Sequence, residues 1–127
     1  MSIAIESTTL ADHVRIVCTG MFSAKEFRPL IDRFFELAAA AGRDAVLVDT
    51  RNITGREPTL AERYDLVVHM AELQSTQKPR IRLAFLGYEP MIHPERFGDI
   101  VASNRGAVLR AFTDEALALE WLLGRKS

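Results

Sequence analysis

A chain of 127 residues with 16 Lys and Arg against 17 Asp and Glu has a net charge of −1. It reads as one domain, 1–127, large enough for folding to remove roughly two-thirds of its unfolded surface. That balance gives no long-range field for nucleic acid or an anionic membrane, and no apolar run approaches the ~20 residues that cross a bilayer. The single Cys18 excludes an internal disulfide. The first ten residues lack the basic segment of a signal peptide, so a cytoplasmic location is expected.

Ile3 and Ile5 alternate with polar neighbours, and so do Val14, Ile16 and Cys18. The short polar link between these runs predicts an antiparallel hairpin whose first strand is an edge. Ser23-Ala24-Lys25-Glu26 is a capping-box pattern. After it Phe27, Leu30, Ile31, Phe34, Leu37, Ala38 and Ala41 fall at helical spacing, and Gly42 supplies a stop. Pro29 conflicts with a continuous helix and predicts a kink or a short first turn.

The segment Ala45 to Thr59 organises the rest of the chain. An apolar run, Ala45 to Val48, ends at Asp49, Gly55 and Pro58 mark a loop, and Thr59-Leu60-Ala61-Glu62 is a second capping box. The pattern is a buried strand, Asp44 to Thr50, then a loop, then a helix from Leu60 to about Gln74 with Leu60, Tyr64, Val67, Val68 and Ala71 inward. Arg80 to Leu86 follows as a strand. His93-Pro94-Glu95 predicts a helix start with Pro at its first position, and Phe97, Ile100 and Val101 form that helix's apolar stripe. Gly98 within it suggests close approach to another backbone. Val108 to Phe112 is the fifth strand. The last helix starts at Thr113, with Leu117, Trp121 and Leu122 inward, and Gly124 to Ser127 are expected to fray. The fold class is therefore α/β, in the order β-β-α-β-α-β-α-β-α. Helices between strands imply parallel neighbours after the hairpin.

Val46-Leu47-Val48-Asp49 before a Gly-containing loop, then Asn104-Arg105-Gly106, then Ala111-Phe112-Thr113-Asp114-Glu115-Ala116 and Trp121-Leu122 resemble the SpoIIAA-like branch of STAS domains. The resemblance spans nearly the whole chain. It implies a five-stranded mixed sheet with strands roughly in sequence order and four helices. It also implies a regulatory or protein-interaction role rather than an enzyme. Relatives by fold include CRAL-TRIO lipid-binding domains, which imply as the alternative a carrier or sensor of a small amphipathic or anionic ligand. In sigma-factor antagonists a phosphorylatable Ser follows the central strand. Here that segment has no Ser, and Thr59 stands at the matching helix start.

The residues themselves carry no metal or catalytic signature. His13, His69 and His93 lack ligand spacing. Gly55 and Gly87 are isolated, so no phosphate loop and no cofactor are expected. Asp49 reads as a strand-end residue bonding loop amides, and an enzyme would need it to meet a histidine. Arg51, Arg56 and Arg63 fall in or after the loop, near the positive end of the second helix. With Asp49, Thr50, Thr54, Thr59 and Tyr88 they form the candidate binding surface, because open α/β sheets place their sites at strand carboxyl ends. Thr59 is the candidate phosphorylation site. Glu at positions 56 and 63 together is expected to leave folding nearly unchanged, as for exposed charges. The open edge strand and a partly apolar second sheet face suggest a homodimer.

Overall fold

The computed structural model describes residues 3–124. Its elements are β1 (Ala4–Thr9), β2 (Val14–Met21), α1 (Ala24–Ala41), β3 (Ala45–Thr54), α2 (Leu60–Ser75), β4 (Arg82–Leu86), α3 (Phe97–Asn104), β5 (Leu109–Phe112) and α4 (Glu115–Leu123). The strands form one sheet in the order β1-β2-β3-β4-β5. The first pair is antiparallel and the others are parallel. Of the segment expected to fray, only Gly124 is described; it caps α4 in the left-handed region at φ 68°, and 125–127 lie outside the described residues.

Alternation along the strands sorts the apolar residues into two layers of unequal size. Val14, Ile16, Cys18, Val46, Val48, Leu83 and Phe85 face α1, α2 and α3 and form the main core. Ala45, Leu47, Ala84 and Leu86 face the other way and meet Ala118 and Leu122 of α4. Burial lifts the Cys18 thiol to about 12, with the Asp49 charge adding to the shift, so this cysteine is a small apolar core residue.

Helix α1 is continuous through Pro29. Its N-terminus is fixed by the Ser23 hydroxyl, which accepts from the Glu26 amide at 3.3 Å, and its end by Gly42 at φ 67°. Pro29 lies beyond the first turn, so the helix forgoes one bond there, to the Lys25 carbonyl. The amphipathic face overrides the expected break: Phe27, Ile31, Phe34 and Ala38 are buried as the spacing predicts, and Phe35 joins them.

Four sequence expectations are corrected. Strand β3 runs on past Thr50 to Thr54, so Arg51 and Thr54 belong to the strand and the loop is only 55–58. Helix α2 is rotated from its expected phase: Arg63, Leu66, Val67, Met70 and Gln74 are buried, while Leu60 and Tyr64 are exposed. Helix α3 starts at Phe97 and not at Pro94. Its N-cap is Arg96 in the left-handed region (φ 57°), Ile100 is exposed, and a Cβ on Gly98 would meet only the Val67 side chain, at 3.7 Å. In α4 Leu117 is exposed, Trp121 is half-buried against Phe112 with ring centroids 5.9 Å apart, and Leu122 is the fully buried anchor.

Candidate functional site

The carboxyl ends of β2, β3 and β4 converge on one end of the molecule. Between β2 and β3 the register changes: Val17 pairs with Asp49 but Thr19 pairs with Asn52. The extra residue in β3 is a bulge. Before it, Thr50 points to the main core while Asp49 and Arg51 point towards α4. Beyond it, Ile53 returns to the main core.

Asp49 is 4% exposed and is held by two arginines. It accepts from the Arg51 amide at 3.0 Å, from Arg51 Nε at 3.0 Å, from Arg51 Nη2 at 2.8 Å and from Arg15 Nη2 at 3.1 Å. Glu115, at the start of α4, accepts from both arginines, at 3.2 Å and 3.1 Å. Burial pushes the Asp49 carboxyl up, but the bonds and charges of Arg51, with Arg15 behind them, outweigh it and hold the group below the usual carboxylate range. This cluster ties β2 and β3 to α4. The histidines are bonded elsewhere, His13 to Asp12 and His69 to Asp32, and His93 Nδ1 accepts from the Glu95 amide.

Thr50, on the opposite face, donates to the Leu86 carbonyl at 3.0 Å. A Cβ on Gly87 would lie 2.4 Å from its hydroxyl oxygen, so glycine is required where β4 leaves the sheet beside Thr50. Thr54 donates to the Gly20 carbonyl at 3.3 Å. Arg56 is exposed, lies over the Phe22 ring, and grips Glu62 with two bonds of 2.7 Å. Thr59 and Glu62 form a complete capping box. The Arg56 and Thr59 bonds lower the Glu62 carboxyl to about 2.

Arg63 departs from its expected place. It is 8% exposed, and its guanidinium donates to the carbonyls of Met91 at 2.7 Å and Pro90 at 2.6 Å. It is a clamp from α2 onto the β4–α3 connection rather than a free surface charge. The reason is the rotated phase of α2, which turns this position inward. Burial depresses its basicity, with Glu57 opposing.

Of the expected site residues, the structure gathers Thr50, Arg51 and Tyr88 around a shallow pocket of about 100 Å³, whose walls include Gly55, Glu57 and Pro90. Tyr88 is 60% exposed. Asp49 lies on the other side of the sheet from Thr50, and Thr54, Arg56 and Thr59 stand apart from this pocket.

A second cavity, of about 120 Å³ and partly open, lies between the sheet, α1, α2 and the 91–99 segment. Its walls are mainly apolar, with Phe27, Leu66, Met70 and Phe85 among them; Arg63, His93, Arg96 and Asp99 also line it. Two buried side-chain nitrogens, Arg63 Nε and Arg96 Nη1, have no hydrogen-bond partner among the described residues. The sequence reading missed His93, Arg96 and Asp99 because it placed the segment from His93 within a regular helix.

Among the described residues no three His, Cys, Asp or Glu side chains come together to hold a metal ion, and no helix is long and apolar enough to cross a membrane. The chain matches no family model and no curated protein. Solved structures do share its architecture. An anti-sigma factor antagonist from Mycobacterium paratuberculosis superposes with a TM-score of 0.61 at 10% identity, covering 96% of this chain and 95% of that one. An uncharacterised protein of the DUF3478 family with a SpoIIAA-like fold, from Shewanella loihica PV-4, superposes with a TM-score of 0.52 at 17% identity, covering 95% and 94%. The chain has the SpoIIAA-like fold.

Proposed function

We propose that the chain is a non-catalytic regulatory module of the STAS type, working in the cytoplasm, that docks a protein partner at the carboxyl end of its sheet. The observation that supports this is the exposure of large apolar side chains there. Met21 at the end of β2, Leu60 at the start of α2 and Tyr88 after β4 are all more than half exposed. Exposed aromatic and methionine side chains beside arginine are the composition that protein interfaces favour. The anti-sigma factor antagonist with the same fold makes a regulatory partner the natural reading.

Thr59 is where a phosphate would act on this surface. Its hydroxyl accepts from the Glu62 amide, and Glu62 in turn holds the Thr59 amide and Arg56. A phosphate would compete with Glu62 for Arg56 and for the helix start. The open β1 edge supports a homodimer by strand pairing. The sheet face beside it does not add the apolar area first expected, since Glu6, Thr8 and Thr19 are exposed there. Light scattering at tens of micromolar, an order-of-magnitude concentration for a modest interface, tests it, and a monomer removes it.

The test of docking is a photo-crosslinking amino acid at position 88, with position 36 on the exposed outer side of α1 as control. Crosslinked partner at 88 and none at 36 is the expected result. Equal or no crosslinking at 88 overturns the docking surface.

A second reading, a sensor of a small amphipathic or anionic ligand, is supported by one observation. The 120 Å³ cavity is lined by two arginines that each keep a buried donor unpaired.

A further inference from the structure

We propose that Tyr88 seats an arginine of the docked partner, which lies over the Tyr88 ring and pairs with Glu89, so that the partner's docking segment is basic. This rests on the docking reading and names the partner's chemistry.

The ring is open to a cation. Tyr88 is 60% exposed, the most exposed large apolar side chain among the described residues. Elsewhere the chain covers rings with its own arginines: Arg105 over Tyr64, Arg56 over Phe22 and Arg110 over Phe112, at 5.4, 5.4 and 5.8 Å from the centroids. Among the described residues no cation lies over Tyr88 in this way. The face of a tyrosine ring attracts a guanidinium, and tyrosine and arginine are among the residues that dominate binding energy at interfaces.

The charges at this end of the sheet favour a cation. From the sequence alone Arg51, Arg56 and Arg63 suggested an anionic partner, but each is spent. Arg51 and Arg15 are matched by Asp49 and Glu115 in a cluster with no net charge. Arg56 is gripped by Glu62, which with Thr59 also closes the start of α2. Arg63 is turned inward onto the Pro90 and Met91 carbonyls. The carboxylates lining the Tyr88 pocket are Glu57 and Glu89. Glu57 lies 3.7 Å from Arg63. Glu89 is exposed and forms no ion pair among the described residues, so it is the charge left for a partner.

The pocket is about 100 Å³, well below the roughly 300 Å³ at which small-molecule pockets begin, so it takes one side chain of a larger partner. Arginine suits it better than lysine, because a planar guanidinium stacks on a ring while its edge still donates to a carboxylate. Met21 and Leu60, exposed on the same docking surface, call for apolar neighbours in the partner.

The experiment is a selection of randomised displayed peptides on the whole chain, with Tyr88→Ala as the subtractive control. Tyr88 is exposed, so this variant keeps the fold. Peptides lost on the variant are expected to be enriched in arginine next to apolar residues. One such peptide is then made with arginine and with citrulline, its uncharged isostere. The citrulline form, and the arginine form on Glu89→Gln, are each expected to bind about tenfold more weakly, the order of a ring contact plus a surface ion pair. With the tyrosine rings ¹³C-labelled, the peptide is expected to shift Tyr88 and leave Tyr64, the chain's other tyrosine, in place. Tyr88-dependent peptides without arginine enrichment, or equal binding of the citrulline form, overturn the arginine while the docking reading stands. Unchanged binding on Glu89→Gln, or a shift at Tyr64 alone, overturns the seat. Absence of any Tyr88-dependent peptide overturns both the proposal and the docking surface.

Discussion

Arg56 and Arg63 carry the same charge near the same helix start, yet their energetics are opposed. Arg56 is exposed and pairs with Glu62 in water, where such pairs contribute little. Arg63 is buried, and its removal strands two carbonyls, of Pro90 and Met91. Arg63→Ala is expected to destabilise the chain by about 2–4 kcal/mol through these lost charge-assisted bonds. Arg56→Ala is expected to leave stability nearly unchanged. Urea unfolding of the two variants checks this; equal losses would show that Arg63 is not a clamp. Glu at both positions is accordingly not neutral, as the sequence alone suggested, because it also buries a carboxylate opposite carbonyl oxygens.

Asp49 gives a pH dependence of known sign. Its carboxyl is held below the ordinary value of 3.8 in the folded chain, so the folded state favours the charged form. The stabilisation is complete above that ordinary value and is lost as pH falls below it, through the lower folded one. Asp49→Asn leaves Arg15 and Arg51 sharing Glu115 alone and is expected to cost about 3 kcal/mol at neutral pH, as for a buried pair that loses one partner. Unfolding at pH 7 and again near pH 2, an order-of-magnitude choice well below the carboxylate range, should show that difference shrinking. A difference that stays constant would mean that the cluster charge is not its source.

At the level of elements, the order and type of every strand and helix were legible, because apolar alternation and helical spacing report directly on burial. The phase of α2 was not. It buries two polar residues, Arg63 and Gln74, and a polar residue on an inward face erases the pattern that reveals the face. Gln74 is 1% exposed. Its amide donates to the Ile81 and Val108 carbonyls and accepts from the Val108 amide, bridging the chain at the amino ends of β4 and β5. Only long-range geometry shows those partners. The candidate site was legible in the same partial way: strand ends and turn residues placed Thr50, Arg51 and Tyr88, while the apolar cavity depends on a left-handed Arg96 that favours no recognisable motif.

Helix α4 shows how residue size misleads. Trp121 is the largest side chain of the helix but is half-buried, whereas Leu122 is fully enclosed among Leu47, Ala84 and Leu86. Leu122→Ala is expected to cost about 3 kcal/mol by loss of burial and a cavity. Trp121→Ala should cost about half of that, since part of its surface stays in water. Thermal or urea unfolding ranks them, and the reverse ranking would put Trp121 in the core.

Taken whole, the molecule is a sheet with one thick side and one thin side. Among the described residues three helices cover the first, and α4 alone covers the second. The fastening of that single helix is partly electrostatic, through Glu115, Arg15 and Arg51. The consequence concerns time rather than shape. Amide exchange with deuterium should find α4 opening as a unit well before the β2–β3–β4 centre, because few apolar contacts oppose its release. Raising the salt concentration should quicken that opening, since partly exposed ion pairs are screened, while the exchange of Val46 and Val48 keeps its pace. Uniform exchange across both would mean that the thin side is held as firmly as the thick one.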